Sequence, residues 1–150
     1  MIRIERTNSS NPDFTKLVEL LNAYLEKVDG SDHSFYMQYN GIESLKHVVL
    51  AYENNIPVGC GSFKKYSEES TEIKRMYTNP ESRGTGIASK ILEELENWSK
   101  ELGFKSCILE TGKRQIEAVN FYKKMNYSIV PNFDPYHKME NSLCYKKTIL

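Results

Sequence analysis

The chain carries no surplus of charge of either sign. Twenty lysines and arginines stand against twenty aspartates and glutamates in 150 residues. That balance argues against a nucleic-acid binder working through bulk positive charge, though not against a local basic patch. Cysteine is scarce: Cys60, Cys107 and Cys144 are odd in number, far apart, and form no Cys-x-x-Cys pair. Neither a zinc site nor a disulfide framework is indicated. His33, His47 and His137 are isolated, so no metal is expected. The opening residues, Met1-Ile2-Arg3-Ile4-Glu5-Arg6, are too polar for a secretory signal. No apolar run approaches the length needed to span a bilayer, and there is no repeat, linker or low-complexity tract. These absences point to a cytoplasmic protein in a reducing compartment, with neither nucleic acid nor membrane as partner. What remains is ordinary globular composition, with 39% hydrophobic and 27% charged residues. The length suggests a single domain over residues 1–150 with its own core.

One stretch stands out: Arg83-Gly84-Thr85-Gly86-Ile87-Ala88. It lies between an extended run, Glu72 to Thr78, and a long amphipathic run, Ile87 to Leu102. At a helix start the first backbone N–H groups have no partner within the helix and carry the positive end of its dipole. Glycine at 84 and 86 removes the Cβ atoms that would keep a bulky anion away. The expected result is a phosphate cradle, with the guanidinium of Arg83 beside it, against the plainer reading of a tight strand-to-helix turn. Two nucleotide motifs are excluded. The dinucleotide fingerprint needs glycine or alanine where Ser89 stands, and the P-loop needs lysine where Ile87 stands.

The rest of the chain falls into short elements. Residues 1 to 6 alternate apolar and charged, as a strand does. Asn11-Pro12 reads as a cap followed by a first-turn proline, opening a helix that ends before Asp29-Gly30. Residues 31 to 40, with Phe35, Tyr36, Tyr39 and Asn40, read as a short helix or loop. His47 to Glu53 and Ile56 to Tyr66 form a hairpin about Asn54-Asn55, and Thr71 to Thr78 adds a third strand. The Ile87 helix carries an apolar stripe of Ile87, Ile91, Leu95, Trp98 and Leu102 and stops at Gly103. Phe104 to Glu110 reads as a strand parallel to residues 71–78, Thr111 to Lys113 as a loop, and Arg114 to Met125 as a second amphipathic helix closed by Asn126. Tyr127 to Val130 is strand-like, 131–141 a loop, and Ser142 to Thr148 a last strand. The fold class is a mixed-sheet α/β domain, an antiparallel meander followed by a βαβ unit.

Two separated signatures resemble those of the GNAT family of N-acetyltransferases. The first is Arg/Gln-x-x-Gly-x-Gly/Ala, met here by Arg83, Gly86 and Ala88 and preceded by a strand ending in Met76-Tyr77-Thr78. The second is the family's Asn-x-x-Ala-x-x-Phe-Tyr-x-x-x-Gly-Phe, which here reads Gln115, Ala118, Phe121, Tyr122, Asn126 and Tyr127. Gln115 and Asn126 depart from the pattern; asparagine is the usual substitute for glycine in a left-handed cap. Together the signatures cover residues 72 to 127. The resemblance implies acetyl-coenzyme A as co-substrate, with residues 83–89 (Arg83, Gly84, Thr85, Gly86, Ile87, Ala88, Ser89) on its diphosphate. It also implies that the strand ending at Met76, Tyr77 and Thr78 splays from the strand at 104–110, with the pantetheine arm between them and Gln115 nearby. Residues from Leu109-Glu110-Thr111 through Tyr136 to Ser142-Leu143 resemble a group of small-molecule acetyltransferases. The implied reaction is direct transfer of an acetyl group to a small primary amine within a ternary complex.

Such chemistry needs a base, because an alkylammonium has a pKa of about 10.4, and an acid for the departing thiolate. Tyr122 is the expected acid, against the plainer reading of a core aromatic. Glu72 is the expected base, eleven residues before Arg83 as in the histone-modifying branch of the family, and strand alternation places it with Lys74 and Met76. Its plainer reading is a solvated strand carboxylate paired with Lys74. Glu110 is a second carboxylate near the acceptor mouth, a substrate contact or a second base, against the plainer reading of a strand-end surface charge. Cys107 has no His-plus-Asp arrangement to activate it and reads as a buried strand cysteine. A non-catalytic acetyl-coenzyme A sensor on the same fold is the alternative reading, and a nucleotide-binding regulator the third. A homodimer is left open, and the loops at 29–40 and 131–141 are expected to wall the acceptor pocket.

Overall fold

The computed structural model describes residues 1–32 and 45–150. The elements are β1 (Ile2–Thr7), α1 (Pro12–Asp29), β2 (His47–Glu53), β3 (Ile56–Lys65), β4 (Ser70–Thr78), α2 (Ile87–Glu101), β5 (Ser106–Gly112), α3 (Ile116–Lys124), β6 (Ser128–Val130) and β7 (Ser142–Thr148). The strands form one seven-stranded sheet in the order β1-β2-β3-β4-β5-β7-β6. Every pairing is antiparallel except β4 with β5, the two strands joined through α2.

Local chemistry sets the element ends. The Asn11 side chain accepts from the Asp13 amide at 2.9 Å and Pro12 occupies the first helical turn, so two of the orphaned groups at the start of α1 are accounted for. Asn54 and Asn55 both have positive φ, 52° and 68°, the geometry of a tight hairpin turn whose twist matches the strands it joins.

Side-chain alternation along β2 divides the core. Val48, Leu50 and Tyr52 pack with Phe14, Leu17 and Val18 of α1, together with Cys60. Val49 and Ala51 join Ile87, Ile91, Leu92 and Leu95 of α2 on the other face, with Phe63 and Ile73. Those four α2 side chains are no more than 1% exposed. Each contributes about 1.5–3 kcal/mol by leaving water, so the apolar stripe, rather than helix propensity, holds α2 against the sheet.

Two expected boundaries move. β5 begins at Ser106 rather than Phe104, because the amides of Lys105 and Ser106 both donate to the Glu69 carbonyl and Phe104 closes the end of α2 through Ser99. It also runs two residues past Glu110, since Thr111 and Gly112 pair with Leu143 and Ser142 of β7. The expected loop at 111–113 is therefore largely strand. The second amphipathic helix begins at Ile116, not Arg114, and ends at Lys124. The Arg114 guanidinium turns back to the carbonyls of Val28 and Asp29, at 3.3 and 2.8 Å. It thereby ties the end of α1 to the start of α3. Of the aromatic run at 31–40, residues 33–40 lie outside the described residues.

Candidate functional site

The parallel ladder between β4 and β5 is three rungs long: Ser70 with Ser106, Thr71 with Cys107, and Glu72 with Ile108. Past Glu72 the two strands part, and the splay that the resemblance implied is present. β5 keeps its other neighbour, β7, as far as Gly112, so the opening lies on one side of β5 only. Such a split sheet exposes backbone polar groups that a ligand can pair.

Just beyond the split, β4 bulges. Arg75 has φ of 59°, a conformation a residue with a Cβ seldom adopts. The register against β3 jumps between Ser62, opposite Lys74, and Cys60, opposite Tyr77. Side chains of β3 secure the bulge. The Ser62 hydroxyl donates to the Lys74 carbonyl at 2.8 Å, and the Cys60 thiol to the Arg75 carbonyl at 3.3 Å. The Arg75 guanidinium meets the Asn22 side chain of α1. The extra residue reverses the alternation downstream. Met76 therefore faces the α2 core with Ile73, and Tyr77 faces the α1 core. This corrects the expectation that Met76 shares a face with Glu72 and Lys74.

Two cavities meet at the split. The larger, about 370 Å³, runs from Met76, Tyr77 and Thr78 along Arg83, Gly84, Gly86, Ile87, Ala88 and Ser89 to Gln115 and Tyr122. All the expected co-substrate residues line it except Thr85, whose hydroxyl is turned to the Ser82 carbonyl at 2.7 Å and braces the turn. Gly84 and Gly86 both have φ of 82°, and a Cβ at either position would meet no atom within 4 Å. Glycine is thus required by the backbone conformation, and the space beside it is open cleft. The first intrahelical bond of α2 runs from the Lys90 amide to the Gly86 carbonyl, so the preceding amides are left for a ligand. Arg83 is a strap rather than a free fork. It donates to the Thr78 carbonyl at 3.1 Å and to Glu117 of α3 at 3.2 Å. Phe121 and Lys124 of α3 reach the same cleft. Lys124 escaped the sequence reading and Phe121 entered it only through the family signature, although the three-residue steps from Ala118 to Phe121 to Lys124 put them on one helical face.

The smaller cavity, about 100 Å³, lies against Glu72 and Lys74 of β4, Glu110 of β5, Asp29 of α1 and Tyr136 of the 131–141 segment. Glu72 and Lys74 are buried and paired, Nζ to Oε2 at 3.4 Å. The Tyr136 hydroxyl completes the cluster, 3.3 Å from Lys74 Nζ and 3.4 Å from Glu72 Oε2. Burial pulls the Lys74 ammonium below its ordinary range, and Glu72 opposes that shift. Glu110 is different. Its Oε2 is buried with no hydrogen-bond partner among the described residues. Burial pushes its carboxyl up to about 7, with the Ser142 hydroxyl and Lys74 working the other way.

The cavities share Leu21, Met76, Gln115, Ala118 and Tyr122. Tyr122 is 6% exposed, with its ring centroid 5.8 Å from that of Tyr127 and 5.9 Å from that of Tyr145. The ring is core, as its plainer reading held. Its hydroxyl has no hydrogen-bond partner among the described residues. Burial raises its pKa above the ordinary tyrosine range, so the proton is in place at neutral pH. Among the described residues no cluster of three or more His, Cys, Asp or Glu could hold a metal. The Cys107 thiol is raised by burial, with the Thr71 hydroxyl 3.4 Å away, and is no activated nucleophile.

The fold has known counterparts. A Klebsiella pneumoniae protein assigned to the acyl-CoA N-acyltransferases superposes with a TM-score of 0.84 at 25% identity, over 100% of this chain and 99% of that one. PaiA N-acetyltransferase of Thermoplasma acidophilum, solved with coenzyme A, superposes with a TM-score of 0.71 at 19% identity over 99% of both chains. The architecture is therefore that of an acyltransferase. The Acetyltransferase (GNAT) family profile matches residues 14–127, and the chain belongs to that family. In sequence it is 28% identical to IAA acetyltransferase of Azospirillum brasilense, over 99% of this chain and 98% of that protein.

Proposed function

We propose that the protein transfers an acetyl group from acetyl-coenzyme A to a primary amine of a small molecule by direct attack in a ternary complex. The observation that carries this reading is the meeting of two cavities at one tyrosine. The glycine-lined cleft is the donor side, the carboxylate-lined chamber is the acceptor side, and Tyr122 stands at their junction.

When bound, acetyl-coenzyme A supplies a thioester-activated acyl group. The residues of the chain do the rest. The amides at the start of α2 and the open faces of Gly84 and Gly86 receive the diphosphate. That a Thermoplasma protein of the same fold was solved with coenzyme A supports coenzyme A as the ligand. Lys124 at the cleft wall adds positive charge. The split between β4 and β5 seats the pantetheine arm. Tyr122 presents its proton to the departing sulfur, and a carboxylate of the chamber, where Glu72 and Glu110 both stand, receives the proton of the attacking ammonium. The chamber is small, with Asp29, Glu72 and Glu110 at its wall, which favours a compact amine over a folded protein surface.

The test is thiol release from acetyl-coenzyme A against a panel of primary amines, with mass spectrometry of the products. Transfer to a small amine with a gain of one acetyl group is expected. Tight binding without transfer to any amine would identify a sensor on the same fold, and preference for ATP or NAD would overturn the co-substrate.

A further inference from the structure

Two carboxylates flank the mouth of the split, and their surroundings differ. Glu72 pairs with Ile108 across the last parallel rung. Strand alternation then puts Lys74 of β4, and Ile108 and Glu110 of β5, on the same face as Glu72. Within that row Glu72 is engaged: Lys74 and Tyr136 both contact its Oε2. Breaking up a buried ion pair leaves its other charge uncompensated. Glu110 stands on the opposite lip with its Oε2 buried and unpartnered among the described residues, against the same chamber that reaches Tyr122. A buried, unpaired carboxylate oxygen is costly unless a ligand or a proton satisfies it.

Resting on the transferase reading above, we infer that Glu110 is the group that takes the proton of the attacking ammonium, and that Glu72 positions Lys74 and Tyr136 around it. The ammonium passes one proton to Glu110 Oε2, and the freed lone pair forms the C–N bond as the C–S bond breaks. The sulfur leaves with the electron pair of that bond and takes the proton of Tyr122. The nitrogen then loses a second proton, which restores Tyr122, and Glu110 releases its own to solvent as the amide departs. One ammonium and one thioester become one amide, one thiol and one free proton.

The groups that face Glu110 come from every element around the chamber. Asp29 of α1 and Glu72 of β4 raise its affinity for a proton, while Lys74 of β4 and Ser142 of β7 lower it. Tyr136, Cys144 and Tyr145 are raised chiefly by burial, and the Glu110 charge adds to it. The balance is dominated by burial and leaves the carboxyl at about 7, where a base is half-ionised at neutral pH and still basic enough to accept a proton.

The experiment combines carbon-13 NMR of glutamate-labelled protein with kinetics on n-propylamine, 1,4-diaminobutane and 2-phenylethylamine. One glutamate carboxyl, absent from Glu110→Gln, titrates near neutrality and shifts when n-propylamine is added. The wild-type kcat/KM rises through the same pH range. Glu110→Gln loses that rise and about a hundredfold of the rate at pH 7, while Glu72→Gln keeps the rise whatever its plateau. A Glu110 carboxyl that titrates in the ordinary carboxylate range, or a Glu110→Gln enzyme that keeps both rate and pH profile, overturns the inference. A wild type that binds acetyl-coenzyme A but acetylates none of the amines instead sinks the transferase reading on which it rests.

Discussion

Glu72 is the last residue of β4 to meet a rung of β5. It faces Ile108, and beyond that pair the strands go separate ways. The donor cleft and the acceptor chamber both open from this point, and the bulge at Arg75 follows three residues later. The split also explains how Tyr122 can be packed like a core residue and still face two cavities. Ala118 and Tyr122 of α3 line both cavities.

The cradle is testable through stability. Acetyl-coenzyme A at a hundredfold over its Kd stabilises a binding protein by about 2.7 kcal/mol. Gly86→Val places methyls in the open cleft and a β-branched residue at φ of 82°. The expected outcome is loss of the ligand-induced rise in Tm. A rise that survives in the variant places the diphosphate elsewhere.

Tyr122→Phe removes only the hydroxyl, which has no partner among the described residues, and keeps the ring contacts to Tyr127 and Tyr145. Wild-type Tm and donor binding are expected, with turnover reduced by about 10²-fold or more. Acyl donors with poorer leaving groups should lose most. A variant that loses stability but keeps its turnover would show the hydroxyl to be structural.

Glu110 also predicts a pH dependence of folding. Its folded-state pKa, about 7, lies above the ordinary value of 4.5, so the folded protein binds this proton more tightly than the unfolded chain does. Its contribution is full below pH about 4.5 and is lost as the pH rises to about 7, a change of order 3 kcal/mol. Urea unfolding of wild type and Glu110→Gln at pH 5 and pH 7.5 isolates it. The variant should gain stability relative to wild type at the higher pH, and parallel profiles would contradict the assignment.

Much of this was legible in the sequence because it is local. Asn11-Pro12, Asn54-Asn55 and Gly103 punctuate the chain by backbone preference alone, and β2 and β7 fall where their patterns put them. The turn at Gly84 and Gly86 was legible because glycines between a strand and a helix mark left-handed backbone, and both have φ of 82°. What escaped depends on distant partners. Nothing around Arg75 announces a bulge; Cys60, Ser62 and Asn22 hold it from other elements. Without it, alternation misplaces Met76. Arg114 belongs in a helix by propensity but is drawn off by the carbonyls of Val28 and Asp29. The contrast between Glu72 and Glu110 arises only when Tyr136, 26 positions beyond Glu110 in sequence, folds back over β4.

Lys74 offers a second handle on the chamber. Its charge lowers the Glu110 pKa, and its removal also frees the Glu72 charge, which raises it. Both effects have the same sign. Lys74→Met should therefore move the Glu110 titration upward, read by the same carbon-13 signal. A downward or absent shift would mean that the two groups do not share the chamber.

The most direct test of the central claim is the simplest: purified protein, acetyl-coenzyme A and a panel of small primary amines, with free thiol and acetylated product measured together. The account predicts one thiol released per acetyl group gained by an amine, saturable in both substrates, and slowed about 10²-fold or more in Tyr122→Phe. Saturable binding of acetyl-coenzyme A with no acetylated amine from any member of the panel would contradict it.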